Sequence, residues 1–533
     1  MIKYVLPPAS ETVSHDFKIS LNNGEAFFPY KARVSAMPYN TVWPGRQRPL
    51  DQTETASFYS FSTNEPTLVT LVADKDFDEC IIRPLSKKIT PEIDGRTISF
   101  TIEKHGQYLI ELDGFHNALH LFVDPIRDFV EETSGDDVIY YGPGVHKVGN
   151  IILKSNQTVI IDSGAVVYGS FSAVSANNVK ILGYGIIDGS LEKRDDGTLL
   201  LPCDRDIAYP GDNVIAVDGT DYTDWKYHYT TKVITPPTFR YGDLPHEEEP
   251  LLSYLKKYRT LYGNIRLYYC TNCEINGVVC RDSSTFCIIP AACNNLLIDY
   301  VKTVGMWRYN SDGIDLFNCS NVTVRNCFLR NFDDCMVLKG IKGFDKNNME
   351  NILIQGLTVW CDWGRALEIG AETCADYYRN IIFEDCDIVH GTHIMMDIQN
   401  GDRADVYNIL FRNIRCEYTN RQLSDSYQSD MNAPYEGTVN TQQPLLVKMH
   451  DYCGTFSTDL LLGSIHDVTI EDITVYLEDG IEIPESVING AEGGHDTYNI
   501  TFRNILVNGK KIESSEEARI RTNEFTHDVH FLI

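Results

Sequence analysis

The stretch SNVTVRNCFLRN, Ser320 to Asn331, sets an Asn before two alternating valines, turns at Arg325-Asn326, and enters a second short apolar run. The same theme recurs in NNVKILGYGIIDG, TNCEINGVVCRDS, NNLLIDYVKTVG, ENILIQGLTVW, RNIIFEDCDIVH, YNILFRNIRCE, HDVTIEDITVYLE and YNITFRNILVNG. Its anchors Asn272, Asn295, Asn321, Asn351, Asn380 and Asn408 are spaced by 23, 26, 30, 29 and 28 residues. A period of that length, built of short strands with no helical periodicity, predicts a solenoid of stacked β-coils. A leucine-rich repeat shares the length but needs a helix or an LxxLxL register, and neither is present. The prediction is an all-β chain with a parallel β-helix. Cys270, Cys293 and Cys319 stand two residues before an anchor Asn, so they should stack as an inner ladder with no chemical role.

Outward from the repeats, residues 1–125 read as a separate β-sandwich. FKISLN, YKARVS, ASFYSF, TLVTLVA, ECIIRPL, TISFTIE and QYLIELD alternate at period two between Gly, Pro and Asn/Asp turns. Tyr39 to Glu54 breaks that pattern; the segment carries Trp43, Arg46, Arg48 and Gln52 and is either a packed connection or an arm reaching a neighbouring site. Residues 126–533 form the β-helix domain, interrupted at about 190–262 and 418–463. Loops of that length in a solenoid commonly wall a cleft. Trp225, Tyr227, Tyr229, Tyr241 and Tyr427 within them are candidates for stacking on sugars, or for packing.

With 46 basic and 75 acidic residues the formal charge is −29, which disfavours nucleic acid, anionic membrane and polyanionic substrates as partners. Neutral sugars are compatible with it. No apolar run has the length of a membrane span, and MIKYVLPPASETVSHDF has no secretory h-region. The 15 cysteines lack CxxC/His pairing, so reduced, packed thiols and a cytoplasmic location are expected, with no metal and no cofactor.

Between Tyr309 and Gly340 the repeats carry Asp312, Asp315, Asp333 and Asp334, with Asp312 and Asp333 21 residues apart. One coil of that length sets them on adjacent rungs, about 4.8 Å apart along the axis. Gly313, between Asp312 and Asp315, predicts a turn or bulge. Single Asp residues at 299, 385, 387 and 472 show that turn-capping alone places carboxylates in such coils. A cluster is different: like charges raise one another's pKa, and glycoside hydrolysis requires one protonated acid and one carboxylate that activates water.

NSDGID followed by DDC resembles the polygalacturonase-like glycoside hydrolases, family 28, whose pattern is N-T/S-D-G-x-D then D-D-C. YYGPGVH, SGAVVYGSF and GYGIIDG, together with the leading sandwich and FEDCDIVH, also resemble the related dextranase family, family 49. The resemblance implies a right-handed parallel β-helix and an inverting hydrolase of an oligo- or polysaccharide. It implies Asp333 as general acid, Asp312 and Asp334 as holders of the attacking water, Asp315 as support and Asn310 as shaper of the turn. Pectin-cleaving members continue with G-H-G and an R-I-K run; here Arg365 stands for the His, and Met395-Met396-Asp397 for the run. A carboxylate in place of that cation pair points to a neutral sugar over a uronate. Arg365, Glu368, Asp397 and His393 are the expected substrate-binding residues, with Glu372, Asp402 and His390 nearby. A polygalacturonase, a same-fold lyase, epimerase or glycosyl transferase, and a sugar-binding solenoid without turnover are the competing readings.

Overall fold

The computed structural model describes the chain except residues 37–52, 132–136, 192–262, 309, 342, 421–442, 454–456, 458, 460 and 533. Among the described residues thirty-one strands, from Val138–Tyr141 to Thr526–Leu532, make one stack in which, from Ala165–Val174 to Asp405–Arg412, each strand pairs in parallel with the strand three places on. Three strands per coil give three faces. The first carries Ile288–Ala291, Ile314–Phe317, Met336–Gly340, Arg365–Thr373, Ile394–Asn400 and Leu445–Asp451. The second carries Asn294–Asp299, Ser320–Arg325, Met349–Gln355 and Tyr377–Glu384. The third carries Lys302–Met306, Phe328–Asn331, Thr358–Cys361 and Asp387–His390. The all-β prediction of a parallel β-helix holds.

The anchor asparagines explain why the period is visible. Asn272, Asn295, Asn321, Asn351, Asn380 and Asn408 all adopt left-handed backbone, with φ between 54° and 58°. Asn tolerates that region better than any residue but Gly. Their amides then stack: Asn295 donates to Asn272 at 2.6 Å, Asn351 to Asn321 at 3.0 Å, Asn380 to Asn351 at 2.9 Å and Asn408 to Asn380 at 2.6 Å. One position on, the strand turns inward, and Val322, Ile352, Ile381, Ile409, Val468 and Ile500 lie in register as a buried aliphatic column. Replacing Asn351 by Ala breaks two rungs of the amide ladder and leaves Ala in left-handed backbone. The expected cost is about 1–3 kcal/mol, read as a lowered midpoint in denaturant unfolding.

Cys270, Cys293 and Cys319 form the expected inner ladder. Each is buried, with its thiol on the carbonyl two residues earlier at 3.4, 3.6 and 3.3 Å. The described cysteines are all free thiols.

At the N-terminus a six-stranded sheet faces a four-stranded one. The larger sheet includes Tyr30–Ser35, Thr53–Thr63, Gly106–Leu112 and Leu119–Asp124; the smaller includes Phe17–Leu21, Thr67–Ala73 and Thr97–Ile102. The larger sheet covers the third face, where Phe58, Leu109 and Phe122 share an apolar cluster with Val304, Phe328, Phe332 and Trp360. Buried charges cross the same seam. Lys302 meets Asp124 at 2.6 Å, Arg281 meets Glu11 at 3.1 Å and also Asp188, and Arg83 joins Glu111 at 2.9 Å to Glu417. The segment with Trp43, Arg46, Arg48 and Gln52 lies outside the described residues, as do Trp225, Tyr227, Tyr229, Tyr241 and Tyr427.

Candidate active site

The aspartates sit at the corner where the third face turns into the first. Backbone bonds tie three successive coils there: Gly313 N–H donates to Asp334 O at 2.8 Å, Ile314 N–H to Cys335 O at 2.9 Å, and Cys335 N–H to Arg365 O at 2.9 Å. Asp312 and the Asp333-Asp334 pair are thus on adjacent rungs, as the spacing predicts. The chain bends at Gly313 and the strand begins at Ile314, so strand alternation does not force Asp312 away from Asp315. The glycine serves close approach, because a Cβ there would lie 2.2 Å from Cys335 O.

Burial and neighbouring charge split the carboxyls into two kinds. Asp312, Asp315, Asp333 and Asp334 are each no more than 5% exposed. Burial and then Asp334 push Asp333 up to about 7, while Asn310, in left-handed backbone, reaches its Oδ2 at 3.4 Å. Asp334 feels the same burial, but Lys339 and Arg365 outweigh it and hold its carboxyl below the usual range. Lys339 Nζ is 3.4 Å from Asp334 Oδ2, and the Arg365 backbone N–H and guanidinium reach Asp334 Oδ1 at 3.0 and 3.6 Å. Burial, followed by mutual repulsion, raises Asp312 well above the ordinary value; Asp315 is raised likewise, by burial foremost. Asp312 Oδ1 and both oxygens of Asp315 have no fixed hydrogen-bond donor. Asp333 is thus poised as an acid near neutrality beside an ionised base, Asp334.

Along the first face an outward row continues the site: Asp315, Val337, Glu368, Asp397 and Lys448 pair in register across successive coils. Gln399 Nε2 donates to Glu368 Oε1 at 2.9 Å and Asp397 Oδ2 at 3.0 Å, leaving Glu368 Oε2 and Asp397 Oδ1 buried and without a donor. Glu368 is raised by burial and then by Asp334; Asp397 is pushed up to about 6 by burial, against Arg365 and Lys448.

Of the expected binding residues, Arg365, Glu368 and Asp397 join the cluster. His393 borders it, its ring 5.5 Å from that of Trp363, and burial followed by the Arg365 charge holds it down at about 4. Three expectations change. His390 faces away, onto the third face, where its Nε2 bonds Glu111 of the sandwich. Asp402 is buried with its oxygens on the backbone N–H groups of Thr373 and Asp459, at 3.0 and 2.8 Å, which makes it a brace. Met395 and Met396 are both in the solenoid core, so only Asp397 of that run faces outward.

Two residues carry more than their sequence signal. Lys339 bridges Asp334, Glu372 and Asp312 at 3.4, 3.6 and 4.0 Å; the hint was a lysine at an outward position of MVLKG. Gln399 gave no hint at all. Lys339→Met removes the cation nearest Asp334, whose carboxyl should then rise. The acidic limb of kcat/KM is expected to move up by roughly one pH unit or more, where a residue that only packs would leave the limb in place.

The sequence pattern of the family described as glycosyl hydrolases family 28 matches residues 255–425. Those residues belong to the family 28 glycosyl hydrolases. The family 28 segment spans both aspartate motifs, Arg365, Glu368 and Asp397. A probable polygalacturonase of Vitis vinifera is 22% identical over 281 residues, 50% of this chain and 52% of that protein. A probable endopolygalacturonase A of Aspergillus niger is 26% identical over 292 residues, 54% of this chain and 65% of that protein. The chain therefore spans about half to two thirds of the length of these relatives. In three dimensions Dex49A from Penicillium minioluteum superposes with a TM-score of 0.57 over 98% of this chain and 96% of that one, at 11% identity, a likeness of fold.

Proposed function

We propose that the chain is an inverting glycoside hydrolase acting on an α-linked, neutral oligo- or polysaccharide. The observation that carries this reading is the split between adjacent carboxyls, Asp333 raised to about 7 and Asp334 held low. An acid that keeps its proton near neutrality protonates the glycosidic oxygen; an ionised neighbour takes the proton of the attacking water. In this reading Asp333 is the acid and Asp334 the base. Asp312, on the rung beside Asp334, orients the water, and Asp315 holds Asp312 through the contact between their carboxyls. Inversion follows from the family resemblance.

The preference for a neutral sugar rests on the outward row. Arg365 and Lys339 already face Asp334 and Glu372, and Arg365 lies 3.7 Å from Asp397. A uronate carboxylate would meet the buried carboxyls of Glu368 and Asp397, with Lys448 as the cation of the row beside Asp397, whereas sugar hydroxyls can donate to Glu368 Oε2 and Asp397 Oδ1. The test is proton NMR of anomeric signals, with the protein added to isomalto-oligosaccharides and to α-galacturonan fragments. Release of a β-anomer from the neutral pool is expected. Release only from galacturonan would keep the aspartates in role and overturn the substrate preference; retention of configuration would overturn inversion.

A further inference from the structure

Away from the carboxylates, at the corner between the second and third faces, the sandwich stands off the solenoid and leaves a groove of about 670 Å³. Its floor follows one turn position repeated coil after coil. At that position stand Gly277, Asn326, Gly356, Asp385, Asn413, Asp472 and Asn504, all in left-handed backbone and all of the residue types that tolerate it. Tyr300 is the exception. It occupies the same position with φ 52°, and its ring lines one end of the groove. A bulky residue held there costs about 1–3 kcal/mol where Asn or Gly would not, and such strain marks positions kept for another reason. At the far end stands Tyr476. Register from Asp299 through Arg325, Gln355, Glu384 and Arg412 to Glu471 puts the two tyrosines five coils apart. At about 4.8 Å per coil the groove is ~24 Å long.

The lining is polar and electrically balanced. Lys87, Lys104 and Arg415 stand against Glu103, Asp385 and Asp387, three charges of each sign, and Arg415 pairs with both aspartates, at 2.8 and 2.6 Å. Gln107, 3% exposed, is fixed through Nε2 on Asn326 O at 3.2 Å, and its amide oxygen is without a partner. An extended, uncharged, hydroxyl-rich ligand suits this combination: aromatic faces at the ends, fixed polar groups between them and no net charge to satisfy. We propose that the groove is a second carbohydrate site, binding an uncharged stretch of sugar chain that is not being cleaved. This rests on the reading of the chain as acting on carbohydrate.

Tyr300→Asn restores the residue type of the column, so the variant is expected to fold at least as well as the parent. The full chain carrying Asp333→Asn, with and without Tyr300→Asn plus Tyr476→Ala, is applied to an array of immobilised neutral and acidic oligosaccharides. Retention by at least one neutral class is expected, falling tenfold or more when the tyrosines are replaced. With Asp333 intact, the tyrosine variant should turn over short soluble oligosaccharides at the parent rate. Equal retention with and without the tyrosines, or no retention by any neutral class, overturns the proposal. Failure of the hydrolase reading is distinct: tyrosine-dependent retention would persist while wild-type protein releases no sugar in the NMR experiment.

Discussion

Asp333→Asn is expected to lose turnover by about 10²–10⁴-fold or more, the contribution of a positioned general acid, while the folded protein gains stability at neutral pH. The two effects have one cause. Asp333 is buried beside Asp334, and its carboxyl is raised from 3.8 to about 7. Folding therefore favours its protonated form. The stability held below the ordinary value is lost as pH rises from about 4 through about 7, where the side chain must ionise in a buried, negative site. Asparagine cannot ionise, so the variant should be the more stable protein above pH 7, by up to a few kcal/mol. In the parent, kcat/KM should fall on the alkaline side as pH passes about 7. Calorimetry of both proteins at pH 5 and pH 8 separates the outcomes. Normal turnover by the variant would sink the assignment of the acid; a lower melting temperature at pH 8 would sink the electrostatic account of it.

Gly364→Ala should be nearly as damaging, although the residue has no side chain to do chemistry. A Cβ at Gly364 would lie 2.5 Å from Asp334 N, 2.6 Å from the Asp333 carbonyl carbon and 2.6 Å from Asp334 Oδ1. Most of those atoms are backbone and cannot swing aside, so the coil carrying both carboxyls must shift. Overpacking of this kind costs about 1–3 kcal/mol, and displacing reacting groups by about 1 Å lowers rates by roughly 10²-fold. The expected result is a folded protein, modestly destabilised, with kcat reduced about a hundredfold and KM changed much less. Parent-like kcat would mean that the coil accommodates the methyl group and that the pair is not tightly seated.

The fold was legible because a backbone requirement prints itself on the sequence. Each coil from Asn272 to Asn408 needs a left-handed residue, Asn supplies it, with Asp467 and Asp528 farther on, and the interval between these anchors is the coil. NSDGID and DDC were legible for a related reason, since Gly313 and the aspartates occupy a bend and not a strand interior. Farther from that bend the reading weakened. His390 and His393 are three residues apart, yet one faces the sandwich and the other borders the cleft, because a corner of the coil lies between them. Gln399 and Lys448 enter the site only through register across coils whose lengths differ, and Lys448 lies within the stretch 418–463 read from sequence as an interruption, part of which, Leu445–Asp451, is a strand of the first face. Gly364 was invisible for a simpler reason: its importance lies in the atoms of the neighbouring coil.

The charges buried along the seam have a consequence for how such a protein can be inherited. Lys302 without Asp124, Arg281 without Glu11 and Glu417 without Arg83 would each lose a partner from a dry site, a loss of about 3–5 kcal/mol where one member of a buried pair is removed. A solenoid expressed from residue 126 onward would lose all three at once and expose Phe328 and Trp360. The sandwich is therefore no cassette to be exchanged between enzymes. Lineages keeping this solenoid must keep its companion, and substitutions on one side of the seam should be answered on the other.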